Sequence, residues 1–264
     1  MLNKIIVIKI GTNVITNDKC LLDELVISKL AAQVAVLKKH AYAVILVTSG
    51  AVGAGRSLVK PNVKLSKVET RQVLAAVGQI KLANTYLSRF HRLGISCAQV
   101  LTCKEDFRDK QHYLNMKGCL SALLKSDLVP IVNENDVVAV EELMFTDNDE
   151  LAGLVAVMVK ADRLIILTTV DGVKDDRGRI IAVIKKRSDY QRFVTSEKSS
   201  FGRGGMSAKC ATALRSAKFG TKTHIINGKI SNGILKVMAG EKIGTTFAPL
   251  KKKYEKNYRH YRRR

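Results

Sequence analysis

The chain has 264 residues, 46% of them apolar, and its 45 Lys and Arg against 23 Asp and Glu give a formal charge of +22. That length can bury the core of one large α/β domain or two small ones, and no apolar run approaches the roughly 20 residues needed to cross a bilayer. Five cysteines without a CxxC pair, and five scattered histidines without an HExxH, argue against a disulfide framework, a zinc site and a hydrolase arrangement.

The first apolar run, KIIVIKI over residues 4–10, is rich in β-branched side chains and predicts a strand buried on both faces. It contains Lys4 and Lys9 and no small-residue cleavage site follows, so it does not read as a secretory signal, and the expected location is the cytoplasm. Residues 21–40 space apolar side chains three and four apart, with charges opposite, and predict an amphipathic helix. The alternation continues with a strand over 42–48, a helix over 66–93, a strand over 95–101, a helix over 110–126 and a strand over 128–133. In the second half 151–161 reads as helix, 163–169 as strand, 208–220 as helix and 222–227 as strand. Strands joined by helix-length crossovers imply a mostly parallel central sheet covered on both faces, an α/β fold of the three-layer α/β/α sandwich type. No repeat or low-complexity linker divides the chain, so one domain is expected over 1–250, softly divided into two lobes near residue 160.

The tail 251–264, KKKYEKNYRHYRRR, holds four Lys and four Arg against one Glu. Tyrosines between cations could stack on bases while the cations meet phosphates, but a solvated, disordered extension is the favoured reading. The remaining positive charge also suits an enzyme whose substrates are all anions.

In such sheets ligands collect where strand ends meet the next helix. At the first corner, KIGTN, Lys9 is a cation deep in an apolar strand, costly to bury unless paired, and Gly11 lets backbone amides approach an anion. The second, ILVTSGAVGAG from Ile45 to Gly55, fails the dinucleotide test, because its glycines run GxxGxG where GxGxxG is needed. It is left as an anion site offering the Ser49 hydroxyl and backbone amides near Gly50, or as a tight turn. The third corner gathers Asn133, Glu134, Asn135, Asp136, Asp147, Asn148, Asp149 and Glu150 in an otherwise basic chain. TDND before an apolar helix is an N-cap signature, but caps do not explain NEND, and amides with carboxylates could grip an ammonium group and orient nearby lysines. Finally GRGGMSAK, Gly202 to Lys209, sets glycines and one lysine at a helix start, a phosphate cradle that matches no Walker spacing.

Taken together, KIGTN, VTSGAVGAG, VPIVNENDVV, TDNDELA, ILTTVDGV and GRGGMSAK, in that order over about residues 4–235, resemble the amino acid kinase family. Within it they are most similar to members that phosphorylate the γ-carboxylate of L-glutamate with ATP, the first step of proline biosynthesis. The resemblance implies catalytic roles for Lys9, Lys209 and Asp149, with both lysines on the phosphates and Asp149 orienting them. It implies substrate contacts from Ser49, Gly50, Asn133, Asp136 and Asn148. On the ATP side it implies Lys9, Gly11, Thr168 and Thr169, with Arg203, Gly204, Gly205, Met206, Ser207, Ala208 and Lys209. Mg²⁺ would bridge ATP oxygens, with no protein metal cluster.

The resemblance further implies an amino-acid lobe over about 1–160 and a nucleotide lobe over about 161–250. It implies a homo-oligomer, dimer or tetramer, with proline as feedback inhibitor and a glutamyl phosphate reductase receiving the product. Two departures stand out: Thr169 replaces an aspartate common among relatives, and the PUA domain that many bacterial relatives carry does not follow residue 250. Acetylglutamate, aspartate or uridylate kinases are the alternatives within the family, and a nucleic-acid-binding protein with a degenerate kinase core is the alternative outside it. The NEND and TDND segments favour a substrate with a free amino group.

Overall fold

Strand β1 (Ile5–Ile10) is buried at every position, as its unbroken β-branched run predicts. It is the hub of a computed structural model that describes residues 4–17, 21–61, 63–139, 147–194 and 205–249. After β1 the described elements run α1 (Thr12–Ile15), α2 (Glu24–Lys39), β2 (Ala43–Val47), α3 (Ala51–Arg56), α4 (Lys67–His91), β3 (Cys97–Thr102), α5 (Lys110–Lys125) and β4 (Val129–Glu134). They continue with α6 (Asn148–Met158), β5 (Arg163–Thr168), β6 (Val183–Ile184), α7 (Met206–Lys218), β7 (Lys222–Asn227), α8 (Gly233–Ala239) and β8 (Thr245–Phe247).

One eight-stranded sheet has the order β3-β4-β2-β1-β5-β7-β8-β6. Every pairing is parallel except β7 with β8. Because β1 pairs with β2 on one side and β5 on the other, the chain reverses its direction of travel across the sheet at β1, where such folds open a crevice at the strands' carboxyl ends.

Alternation along β1 divides the core. Ile6, Ile8 and Ile10 pack with Ile27 and Leu30 of α2, Leu82 and Tyr86 of α4 and Ile234 of α8. Ile5 and Val7 pack on the other face with Leu120 of α5, Leu151 and Val155 of α6 and Ala213 of α7. Each fully buried isoleucine contributes roughly 2 kcal/mol. Lys9 shares the parity of Ile5 and Val7, so it faces the α6–α7 layer.

The long helices begin where side chains take up their first amides. Asp23 caps α2, Ser66 and Glu69 form a reciprocal capping box on α4, Asp109 caps α5 and Asp147 caps α6. Among the described residues no helix is long and apolar enough to cross a membrane.

Several short elements carry no sequence signal. α3 has six residues, two of them glycine, too few to hold a helix by propensity. It is held by close backbone contact with α4: a Cβ at Gly78 would lie 1.8 Å from the Ala51 carbonyl, and one at Gly55 1.9 Å from that of Leu74. α1, α8, the two-residue β6 and the antiparallel β8 are likewise fixed by tertiary contacts that periodicity does not report.

Candidate active site

The crevice at the β1 crossover is a cavity of about 820 Å³, within the usual range for small-ligand sites. Four strand ends open into it. Lys9 and Gly11 come from the β1 corner, Ser49 and Gly50 from β2, Asn133 and Asp136 from β4, and Thr168 and Thr169 from β5. Asp147 and Asn148 at the start of α6, and Gly205, Met206 and Lys209 at the start of α7, complete the wall. Of the residues singled out in the sequence, Arg203 and Gly204 lie outside the described residues, as does the tail 251–264. Ser207 and Ala208 stand in the first turn of α7 but do not line the cavity.

Behind the cavity wall, and not lining it, sits Asp149, wholly buried in the first turn of α6. Its Oδ2 accepts a hydrogen bond from Lys209 Nζ at 2.7 Å, and Lys9 Nζ approaches Oδ1 at 2.6 Å as an ion pair outside hydrogen-bond alignment. Burial alone would raise the Asp149 pKa, but the two ammonium groups outweigh it and hold the carboxyl well below the ordinary range. Burial works against the charge on Lys209 too, and Asp149 overcomes it, so that this ammonium is held above its ordinary value. Two cations converge on this one buried carboxylate, and Asp147 lies close enough to feel both.

Asp147 is half-buried above this group. Its Oδ1 accepts from the amides of Asp149 and Glu150 at 2.9 and 3.0 Å, while Oδ2 is buried with no hydrogen-bond partner. Desolvation, then repulsion from Asp149, pushes its pKa up to about 6.

The opposite end is a network of side chains. Asn148 Nδ2 donates both to the Thr48 carbonyl and to Asn133 Oδ1, the latter at 2.9 Å. Asn133 Nδ2 in turn donates to Gln79 Oε1 at 2.9 Å. With both hydrogens of its amide committed, Asn148 has its carbonyl oxygen left to offer, an acceptor. Asp136 takes a hydrogen bond from Arg71 Nε at 3.1 Å and a second, on the same Oδ1, from Nη2. Gly50, with φ +105°, turns the β2 end into α3 in a conformation that favours glycine.

Arg71 and Gln79 were not singled out by motif. They lie on α4, where the sequence shows only an ordinary amphipathic helix, and are linked to Asp136 and Asn133 at separations of 65 and 54 residues.

The family model described as the amino acid kinase family matches residues 4–227. Glutamate 5-kinase of Chlorobaculum tepidum is 50% identical over 253 residues, 94% of this chain and 70% of the relative. The chain belongs to the amino acid kinase family, with its glutamate 5-kinases. A second such relative, from Bacteroides thetaiotaomicron, is 43% identical over 251 residues, 92% of this chain and 70% of its own length.

Solved structures of the same fold are more distant in sequence. T. acidophilum isopentenyl phosphate kinase, in a product complex, has TM-score 0.64 at 16% identity and covers 92% of this chain and 99% of its own. N-acetylglutamate synthase from Neisseria gonorrhoeae, complexed with coenzyme A and L-arginine, has TM-score 0.63 at 15% identity, covering 94% of this chain and 62% of its own. At that identity they show the fold of this chain and nothing about its cavity's ligands.

Proposed function

We propose that this cavity transfers the γ-phosphoryl group of ATP to the γ-carboxylate of L-glutamate, giving L-glutamyl 5-phosphate, the first step of proline biosynthesis. The observation that carries the reading is Asp149 held between Lys9 and Lys209 at the crossover of the sheet.

A γ-carboxylate with a pKa near 4.3 is already ionised at neutral pH, so no general base is needed. The difficulty is to bring that anion against a polyphosphate, and the task falls to positioning and charge. Lys9, fixed in a strand, and Lys209, on α7, would grip the transferring group from two sides while Asp149 sets their directions. Gly11, Thr168, Thr169 and the α7 start, including Gly205 and Met206, would take the nucleotide. At the other end Ser49 and the amides beside Gly50 would take a carboxylate, and Asp136 and the Asn148 carbonyl the ammonium. Asn133 would act largely by holding Asn148.

Mg²⁺ would enter with ATP. Among the described residues no three acidic, histidine or cysteine side chains converge to hold a metal, so its ligands would be mainly phosphate oxygens. Asp147, with its buried unpartnered oxygen, is the carboxylate chemically suited to meet the ion, which when bound neutralises phosphate charge.

On this reading residues up to about 160 form the amino-acid lobe and 161–250 the nucleotide lobe, in a cytoplasmic homo-oligomer, dimer or tetramer. Proline would inhibit it, and a glutamyl phosphate reductase would consume its labile product.

The test is ATP consumption with hydroxylamine trapping of the acyl phosphate, using glutamate, aspartate and N-acetylglutamate in parallel. Hydroxamate should form from glutamate. Its absence, or a preference for N-acetylglutamate, which has no ammonium group, overturns the proposal.

A further inference from the structure

We propose that Arg71 is a positioning residue: it aims Asp136 at the substrate's ammonium group and so makes a free amino group a requirement of this site. The inference rests on the reading of the cavity as a glutamate site.

Arg71 lines the cavity from the second turn of α4. That helix is fixed at its start by the Ser66–Glu69 capping box and along its inner side by backbone contact with α3 at Gly78. Both guanidinium donors, Nε and Nη2, meet one oxygen of Asp136, Oδ1. The two donors anchor Oδ1 and leave Oδ2, which bonds to no described residue, for a cation arriving in the cavity.

The same Nη2 lies 3.7 Å from Glu134 Oε2, and the side chains of Glu134 and Asp136 are only 6% and 11% exposed. The guanidinium thus ties two largely buried carboxylates to α4. Without Arg71 the two carboxylates would repel each other, and Asp136, on the turn after β4, would swing toward water. A planar guanidinium sets two donors on Oδ1 at once, whereas an ammonium side chain supplies charge without that constraint.

Glutarate, which is glutamate without its amino group, separates this role from general support of the fold, because it never uses Asp136 as an acceptor. In the hydroxylamine assay Arg71→Met should raise the KM for glutamate by about tenfold, leaving kcat and the KM for ATP within about twofold. The preference for glutamate over glutarate in kcat/KM should fall by about the same factor. Arg71→Lys should recover part of both.

Equal losses on glutamate and glutarate, or an unchanged KM for glutamate in Arg71→Met, overturn the inference. If Arg71→Met does not fold, Arg71→Lys carries the test alone: a reduced preference for glutamate supports the role and an unchanged one overturns it. Wild-type protein that forms no hydroxamate from glutamate refutes the functional reading itself. An active wild type with an indifferent Arg71→Met refutes this inference alone.

Discussion

The two ends of the cavity are built of different materials. At the amino-acid end the polar side chains are committed to one another across β2, α4, β4 and α6: Asn148 to Thr48 and Asn133, Asn133 to Gln79, Asp136 to Arg71. At the nucleotide end α7 starts at Gly205, which supplies no side-chain cap, and two lysines share one carboxylate. One end selects by placement and the other attracts by charge. The difference suits the proposed ligands, since a polyphosphate is drawn to any well-formed cationic cradle. A small amino acid must instead have three charged groups located separately.

The change that breaks the contrast most completely is Asp149→Asn, because the carboxylate serves both ends by fixing the two lysines between them. It would leave Lys9, itself 5% exposed, and Lys209 as neighbouring cations with only Asp147 nearby as counter-charge. Breaking a buried pair from one side costs about 3–5 kcal/mol. Thermal unfolding should show that loss alongside near-complete loss of hydroxamate formation; a variant as stable as wild type would mean that the lysines are solvated and not held by Asp149.

A pair of milder substitutions sharpens the contrast. Lys9→Ala or Lys209→Ala removes charge that acts on the transferring group and leaves Asp149 with one partner, so the fold should survive while kcat falls by about a hundredfold. Ser49→Ala should instead raise the KM for glutamate by about tenfold and leave the KM for ATP nearly unchanged, since it removes a donor at the selecting end. The reverse pattern, a raised KM for ATP in Ser49→Ala, would return the β2 corner to the nucleotide.

Legibility in the sequence follows the same division. The inner strands β1, β4 and β5 and the long helices α2, α4 and α5 are readable because burial on two faces, or on one stripe, dictates composition directly. The short α3 is not, since a hexamer with two glycines becomes a helix only against α4. The charged end was equally legible, because Lys9 in an apolar strand and Lys209 after a glycine run are local anomalies. The selecting end was half legible: NEND and TDND stand out, but the residues that orient them, Arg71 and Gln79, sit on an ordinary-looking helix far away in sequence. A polar pair on the half-buried side of α4, at positions 71 and 79, is the only signal, and it acquires meaning once α4 is laid beside β4. For Asp147 the cap reading was correct for one oxygen and silent about the other.

Asp147 stands where the two ends meet, and the smallest expected effect belongs to it. With its pKa raised from 3.8 to about 6, the folded chain binds this proton more tightly than the unfolded chain does. Its contribution to stability is therefore fully present below about pH 3.8 and is lost as pH rises through about 6, so at neutral pH the ionised group strains the fold. Asp147→Asn keeps an oxygen to cap α6 and removes the charge. At pH 7.5 it should be more stable than wild type by roughly 1–3 kcal/mol, with the gap closing as the pH approaches 4, measured by thermal or denaturant unfolding at both values. The cost should appear in function: with no ionised oxygen to meet a cation, the variant should need more Mg²⁺ to reach half-maximal rate, while the wild type should lose kcat/KM as the pH falls below about 6. A variant with unaltered stability at pH 7.5 would mean that Asp147 has its counter-charge already and that its second oxygen is not reserved for a ligand. A stabilised variant with an unaltered Mg²⁺ requirement would assign that oxygen to the ammonium end, and Asp147 would then act with Asp136.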